Sequence, residues 1–305
     1  MEKKTFSFSN EKSIRIDKYL SLQIENKSRS FIQKLIDDGN VSVNHTNVKN
    51  SSLKLKEGDE IEVIIPDAKE VSIEPEDIPL DIIYEDDDLL IVNKPKGMVV
   101  HPAAGHAEGT LVNAVMHHCK DNLSGINGEL RPGIVHRIDK DTTGSLIICK
   151  NDNAHNNIAE QIKEHSITRI YRGIVSGVVK EDEGTIEGDI GRHPKDRKKM
   201  AIVTKNGKPA ITHFKVLERF KNATYMEFKL ETGRTHQIRV HMASTGHPLL
   251  GDEVYSNSKN PYHLEGQTLH AMTIGFIHPT AGGYMEFSAP LPEYFEKLLS
   301  KLRNQ

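Results

Sequence analysis

Asp139 stands between His136-Arg137 and Lys140 in the stretch Arg131-Pro132-Gly133-Ile134-Val135-His136-Arg137-Ile138-Asp139-Lys140-Asp141-Thr142-Thr143-Gly144-Ser145. Nearby positive charge favours the ionised form of a carboxylate. An ionised carboxylate can attack an electrophilic carbon or remove a proton. Thr142, Thr143 and Gly144 allow a sharp bend before the apolar Leu146-Ile147-Ile148 resumes an extended strand. The carboxylate is therefore expected at the mouth of a sheet. Taken by itself, a loop aspartate more often serves a turn than a reaction.

Three other strings hold groups of chemical interest. Arg169 to Gly177 is strand-like and contains Tyr171; a strand tyrosine is usually half-buried packing. The alternating Tyr225 to Glu231 breaks at Thr232-Gly233-Arg234-Thr235-His236-Gln237-Ile238-Arg239-Val240-His241. Thr235 can cap a helix that Gly246 ends, which puts Arg234 where a strand hands over to a helix and a long side chain can reach into a cleft. The run Gly191 to Met200, with Arg192, Lys195, Arg197, Lys198 and Lys199, is the most basic in the chain. In a loop it suits phosphates or solubility equally.

These groups need a framework. Residues 1 to 12 read as loosely ordered. Ile16, Tyr19, Leu20 and Ile24 follow helical spacing, a second helix carries Phe31, Ile32, Leu35 and Ile36 and ends at Gly39, and short alternating strands follow to Ile64. Residues 66 to 80, with Pro66, Pro75 and Pro79 among acids, read as a linker. The expected domains are thus 13 to 65 and 81 to 305. The second opens with strands around Ile82-Ile83-Tyr84 and Leu89-Leu90-Ile91-Val92, followed by Lys94-Pro95-Lys96-Gly97, whose proline and glycine are expected to shape a turn. A short apolar helix spans 110 to 118. After Asp139 come a strand from Leu146 to Cys149, a helix capped by Asn151 or Asp152, and a strand from Ile170 to Val175. Leu269 to Pro279 reads as strand and turn, and Tyr294 to Leu302 as a closing amphipathic helix.

At 305 residues and 36% hydrophobic content, the chain can bury a sizeable core without disulfides. Two cysteines, no signal-like N-terminus and no membrane-length apolar run point to the cytoplasm. The net charge of -3 hides an uneven distribution. Residues 66 to 91 carry 1 Lys+Arg against 10 Asp+Glu, whereas 92 to 305 carry 28 against 23. A mildly basic body remains, as RNA binding would ask. Sixteen histidines fit no compact zinc spacing, so neither metal nor cofactor is expected.

Gly-Ile-Val-His-Arg-Ile-Asp followed by Thr-Thr-Gly closely resembles the catalytic signature of the RluA-type pseudouridine synthases, with Ile138 and Thr143 where that family usually has Leu and Ser. The resemblance extends to the Lys94-Pro95 string, the Tyr171 string and the Arg234 string, in family order. It implies that Asp139 is the catalytic residue, that Tyr171 stacks on the target base, and that Arg234 pairs with Asp139 and favours its charged form. Arg15, Asp17, Lys18, Tyr19, Ser28, Arg29 and the turn from Asp38 to Asn44 resemble the alpha-L RNA-binding module. The implied fold is α+β, with that module before a catalytic domain built on a mixed, largely antiparallel sheet with flanking helices. The implied activity is isomerisation of uridine to pseudouridine in structured RNA by a monomer, with large-subunit ribosomal RNA the leading substrate. His136, Arg137, Arg29, Arg192, Lys195 and Lys198 are the expected RNA contacts, with Arg137 or His136 filling the space that a flipped uridine leaves.

Three alternatives stay open: a non-catalytic RNA-binding protein of ribosome assembly, a transfer-RNA-directed synthase, and a nucleoside or glycoside hydrolase. The hydrolase would need a second carboxylate, for which Asp141 is the close candidate.

Overall fold

The computed structural model describes the chain apart from residues 1, 10–12, 25–28, 66–72, 103–107, 121, 126–131, 197–198 and 257–259. The chain divides into two compact units, Met1–Glu70 and Val71–Gln305.

In the first unit, strand β1 (Glu2–Ser7) precedes helices α1 (Ile16–Gln23) and α2 (Arg29–Asp37), then strands β2 (Val41–Val43), β3 (Thr46–Asn47) and β4 (Glu60–Ile65). The sheet order is β1-β4-β2-β3. The N-terminal residues are thus not loose. Each from Glu2 to Ser7 pairs antiparallel with β4, Glu2 opposite Ile65 and Ser7 opposite Glu60, and Phe8 behind them is buried. Asn44 and His45 both take positive φ, of 48° and 62°, the backbone that a two-residue hairpin between β2 and β3 requires. Ile16, Leu20, Ile32, Leu35 and Ile36 close on Val41, Ile61 and Val63 from the two helices.

A carboxylate sits among these apolar residues. Asp17 is fully buried and accepts hydrogen bonds from Arg15, Arg29 and Gln33, the shortest 2.7 Å from Gln33 Nε2. Burial alone would raise its pKa; the hydrogen bonds from Gln33, Arg15 and Arg29 outweigh that and hold it at about 2.

The second unit contains β5 (Ile82–Glu85), β6 (Leu89–Lys94), α3 (Leu111–Cys119), β7 (Thr143–Cys149), α4 (Asp152–Lys163), β8 (Thr168–Ser176), β9 (Glu183–Arg192) and β10 (Met200–Ile202). It continues with β11 (Lys208–Arg219), β12 (Ala223–Leu230), α5 (Gln237–Ser244), β13 (Leu269–Ile277), β14 (Tyr284–Ser288) and α6 (Glu293–Arg303). The sheet order is β10-β9-β11-β12-β8-β13-β7-β6-β5, with β14 on β13. Only β7 and β13 pair in parallel, so the sheet is mixed and largely antiparallel, as expected. Residues 73 to 80, read as linker, pack onto this unit. Ile73 is in its main core and Asn113 Nδ2 donates to Glu74 O at 2.7 Å.

Every residue of β7 is buried. Leu146 and Ile148 face a core shared with α3 and α5, and Ile147 and Cys149 face another shared with α4, as the period-2 alternation of a strand covered on both sides dictates. Strand β13 changes partner along its length. Its start pairs with β7 (His270 opposite Thr143, Ala271 opposite Gly144) and its remainder with β14 (Thr273 opposite Ser288). Gly144 has φ +110°, and a Cβ there would lie 2.2 Å from Ala271 O. No side chain fits at that approach.

Two outcomes follow. Gly144→Ala combines a backbone clash with an unfavourable φ and should lose about 2–4 kcal/mol in urea unfolding. The folded pKa of Asp17 lies below its ordinary 3.8, so its contribution is complete above about pH 4 and fades as pH falls toward 2. Acid titration of the full chain, followed by amide signals of α1 and α2, should show that loss, and Asp17→Asn should weaken the unit at pH 7 and remove this acid step.

Candidate active site

The segment before β7 is held at both ends. Upstream, Cys149 N donates to Gly133 O at 2.9 Å, and Ile147 N donates to His136 Nε2 at 2.9 Å. His136 is therefore neutral and faces the sheet, and burial together with Arg169 pushes its pKa down to about 3. It was expected to touch RNA; the structure gives its ring nitrogen a strand amide instead. Downstream, Thr142 N donates to Asp139 O in a turn. The Nζ of Lys94, fully buried, donates to Pro95 O and Met98 O at 2.8 Å and to Lys140 O at 2.9 Å. The Lys-Pro-Lys-Gly string thus ties the turn after β6 to the turn bearing Asp139. Burial pulls the Lys94 pKa down to about 7, against the opposing pull of Asp141 and Asp139.

Asp139 emerges from this scaffold with its side chain 21% exposed, and Arg239 Nη1 donates to its Oδ2 at 2.9 Å. The arginine on the carboxylate is therefore Arg239 of α5, not Arg234. Arg234 lines the same cleft, but its Nε donates to Pro209 O at 2.9 Å. Helix α5 begins one residue later than Thr235 would cap it: His236 is the N-cap, in the left-handed region at φ 58°. The turn leaves Arg234 before the helix and carries Arg239 inward.

Arg239 is itself gripped from behind. Its Nε donates to Asp252 Oδ2 at 2.7 Å and its Nη2 to Asp252 Oδ1 at 3.0 Å, while its guanidinium carbon lies 5.1 Å from the centroid of the Tyr255 ring. Burial disfavours the cation, but the bonds and charges of Asp252 and Asp139 prevail and raise its pKa. Asp252, with 2% exposure, also accepts from Val254 N and Tyr255 N. Tyr255 Oη accepts from Met200 N at 2.8 Å and lies 2.8 Å from His236 Nδ1. The other ring nitrogen of His236, Nε2, lies 3.8 Å from Asp139 Oδ1. Burial lowers the pKa of His236, partly offset by Asp139, in keeping with a neutral ring. Neither Arg239 nor this histidine was singled out from sequence.

The carboxylate opens into a cleft of about 370 Å³ floored by Ile138, Leu230, Ile238 and Leu269 and walled by Tyr171. Tyr171 is 9% exposed, and burial raises its pKa. Arg137 is exposed at the rim and bonds to no other described residue. A slot with an apolar floor, one aromatic wall and a polar edge that includes one carboxylate suits a flat heterocycle on a sugar. Arg192 and Lys195 lie at the hairpin of β9 and β10, outside the lining of this cleft, and Lys198 lies outside the described residues. Arg29, in the first unit, is the ion-pair partner of Asp17 at 2.9 Å and remains about half exposed.

A family model for RNA pseudouridylate synthase matches residues 88–244, over half of the chain. The chain belongs to this family. A model for the S4 domain matches residues 14–61, where the RNA-binding module was expected. Across 96% of its length the synthase is 52% identical to the RNA pseudouridine synthase YlyB of Bacillus subtilis (strain 168), covering 95% of that protein. It is 47% identical to the ribosomal large subunit pseudouridine synthase D of Zymomonas mobilis subsp. mobilis, with 94% of this chain and 93% of the relative covered. Its fold matches human RNA pseudouridylate synthase domain containing 1 with a TM-score of 0.58 and 25% identity, over 79% of this chain and 98% of the human one. No helix among the described residues is long and apolar enough to cross a membrane.

The two arginines of the synthase can be told apart by stability. Arg239→Met strands the buried Asp252 and should cost about 3–5 kcal/mol in urea unfolding. Arg234→Met removes one half-exposed hydrogen bond and should cost about 1 kcal/mol or less. Equal losses would mean that the pairing described for Asp139 is wrong.

Proposed function

We propose that this enzyme converts uridine to pseudouridine at defined positions of large-subunit ribosomal RNA, as a monomer in the cytoplasm, with Asp139 as the catalytic residue. The observation that carries the reading is the Asp139 carboxylate sharing with Tyr171 a cleft with an apolar floor while Arg239 and Asp252 fix its rotamer. The S4 match and the names of relatives such as the Zymomonas enzyme support RNA, and large-subunit RNA in particular, as substrate.

The reaction breaks the bond between ribose C1′ and uracil N1, turns the base while it is retained, and joins C5 to C1′; the C5 proton is lost and N1 gains one. A paired stem holds its bases stacked, so the uridine must first leave the helix, at a cost of a few kcal/mol. The Tyr171 ring offers the displaced base a stacking face, and the apolar floor excludes water from the loosened intermediate. Arg137, exposed at the rim and bonded to no other described residue, takes the place the base has left. Asp139, already oriented, acts at the sugar or the ring without reorganisation during the step. Arg234 completes the polar edge of the cleft from the turn before α5. Among the described residues Asp139 is the one carboxylate lining this cleft; Asp141, the second acid that a hydrolase would use, lines an adjoining pocket with it, and release of free uracil would mark that reaction.

Asp139→Asn preserves shape and should leave folding and RNA affinity intact while pseudouridine formation falls by ~10⁴-fold or more. Carbodiimide primer extension on ribosomal RNA treated with each protein measures this. The same mapping on RNA from cells with and without the gene locates the uridine, and a site confined to transfer RNA would overturn the ribosomal assignment.

A further inference from the structure

Tyr171, Leu230, Arg137 and Arg234 are shared between the cleft and a second, wider groove of about 1160 Å³, whose other lining residues include Arg169 and Lys163 but no Asp or Glu. Arg169 is only 7% exposed. Its Nη2 donates to Glu231 O at 2.8 Å, while its Nε is buried without a hydrogen-bond partner. The contrast with Arg239 is instructive: that guanidinium is as deeply buried, yet it touches two carboxylates. A buried cation resting on one carbonyl is poorly compensated within the protein. Gly233 makes room for it, since a Cβ at that position would lie 2.6 Å from Arg169 Nη1, and its φ is not in the left-handed region. Three guanidinium groups therefore converge on a groove with no acid, beside the ring expected to hold the target base.

We propose that Arg169, together with Arg234, forms an anion subsite for a backbone phosphodiester of the RNA strand next to the nucleotide held at Tyr171. The fork of a guanidinium matches two phosphate oxygens, and a phosphate arriving there supplies the negative charge that Arg169 lacks. Such a contact sets the register of the strand and carries no base preference. The inference rests on the reading of uridine in RNA as substrate.

The test uses the full-length enzyme and a large-subunit ribosomal RNA transcript. Arg169→Met should raise KM about ten-fold at physiological salt with a smaller change in kcat, and should make the slope of log affinity against log salt shallower by ~0.7–0.9. Arg169→Lys should restore the salt slope but only part of the affinity. Gly233→Ala keeps every charge, yet by displacing the guanidinium it should weaken binding in the same direction, and it carries the test with Arg169→Lys if Arg169→Met does not fold. In a short RNA that the enzyme modifies, a single methylphosphonate beside the target uridine should cost the wild type affinity and cost Arg169→Met little more. Additive losses, or an unchanged salt slope in Arg169→Met, would overturn the subsite while leaving the catalytic reading intact. A wild-type enzyme that forms no pseudouridine in any RNA offered would end both.

Discussion

The site depends on one buried cation between two carboxylates. Arg239 bonds Asp252 through two nitrogens and Asp139 through the third, so the position of the Asp139 carboxylate is set by a residue 100 positions further along the chain. Such a bridge is stable only if every partner is in place, since removing one leaves a charge in a poorly solvated site. Asp252 meets the condition by accepting two backbone amides as well, and the Tyr255 ring covers the guanidinium face. The Asp139 carboxylate is therefore oriented before any substrate arrives. Its orientation is a property of folding, not of binding.

The backbone of Asp139 is constrained as firmly as its side chain. A central strand buried on both faces follows it, a neutral histidine caps an amide of that strand, and the ammonium of Lys94 collects three carbonyls beneath the turn. Gly144 lets β7 meet β13 where the sheet changes partners. The apolar layers fix the strand and the polar clamps fix the turn. Chemistry then needs only the side chain at the end.

Much of this was legible beforehand because the local signals were strong. Apolar runs and caps marked β6, β7, α4, β8, β12 and α6, and the long string around Asp139 marked the segment that carries the candidate carboxylate. Strand β9 was missed because part of its inward face is glycine: Gly184 lies under Phe214, and Gly188 under Ile202. The apolar group that fills each position comes from a neighbouring strand or hairpin, so no alternation shows along the chain. Strand β1 was missed because, as an edge of mixed polar residues, it is defined by pairing with β4 rather than by its own pattern. The choice between Arg234 and Arg239 could not be made from spacing, since both fall in one string. The signal, in hindsight, was a charged residue between Ile238 and Val240 in a helix whose residues 237–242 are all buried, where a cation needs a carboxylate partner.

Lys94 has a consequence of its own. An ammonium carries three hydrogens and here meets three carbonyl oxygens, whereas a neutral amine has two hydrogens and would point a lone pair at the remaining oxygen. With its pKa drawn down to about 7, mild alkalinity is enough to discharge it and loosen the floor under the turn that carries Asp139. The geometry of the turn that carries Asp139 then depends on the charge of a side chain beneath it.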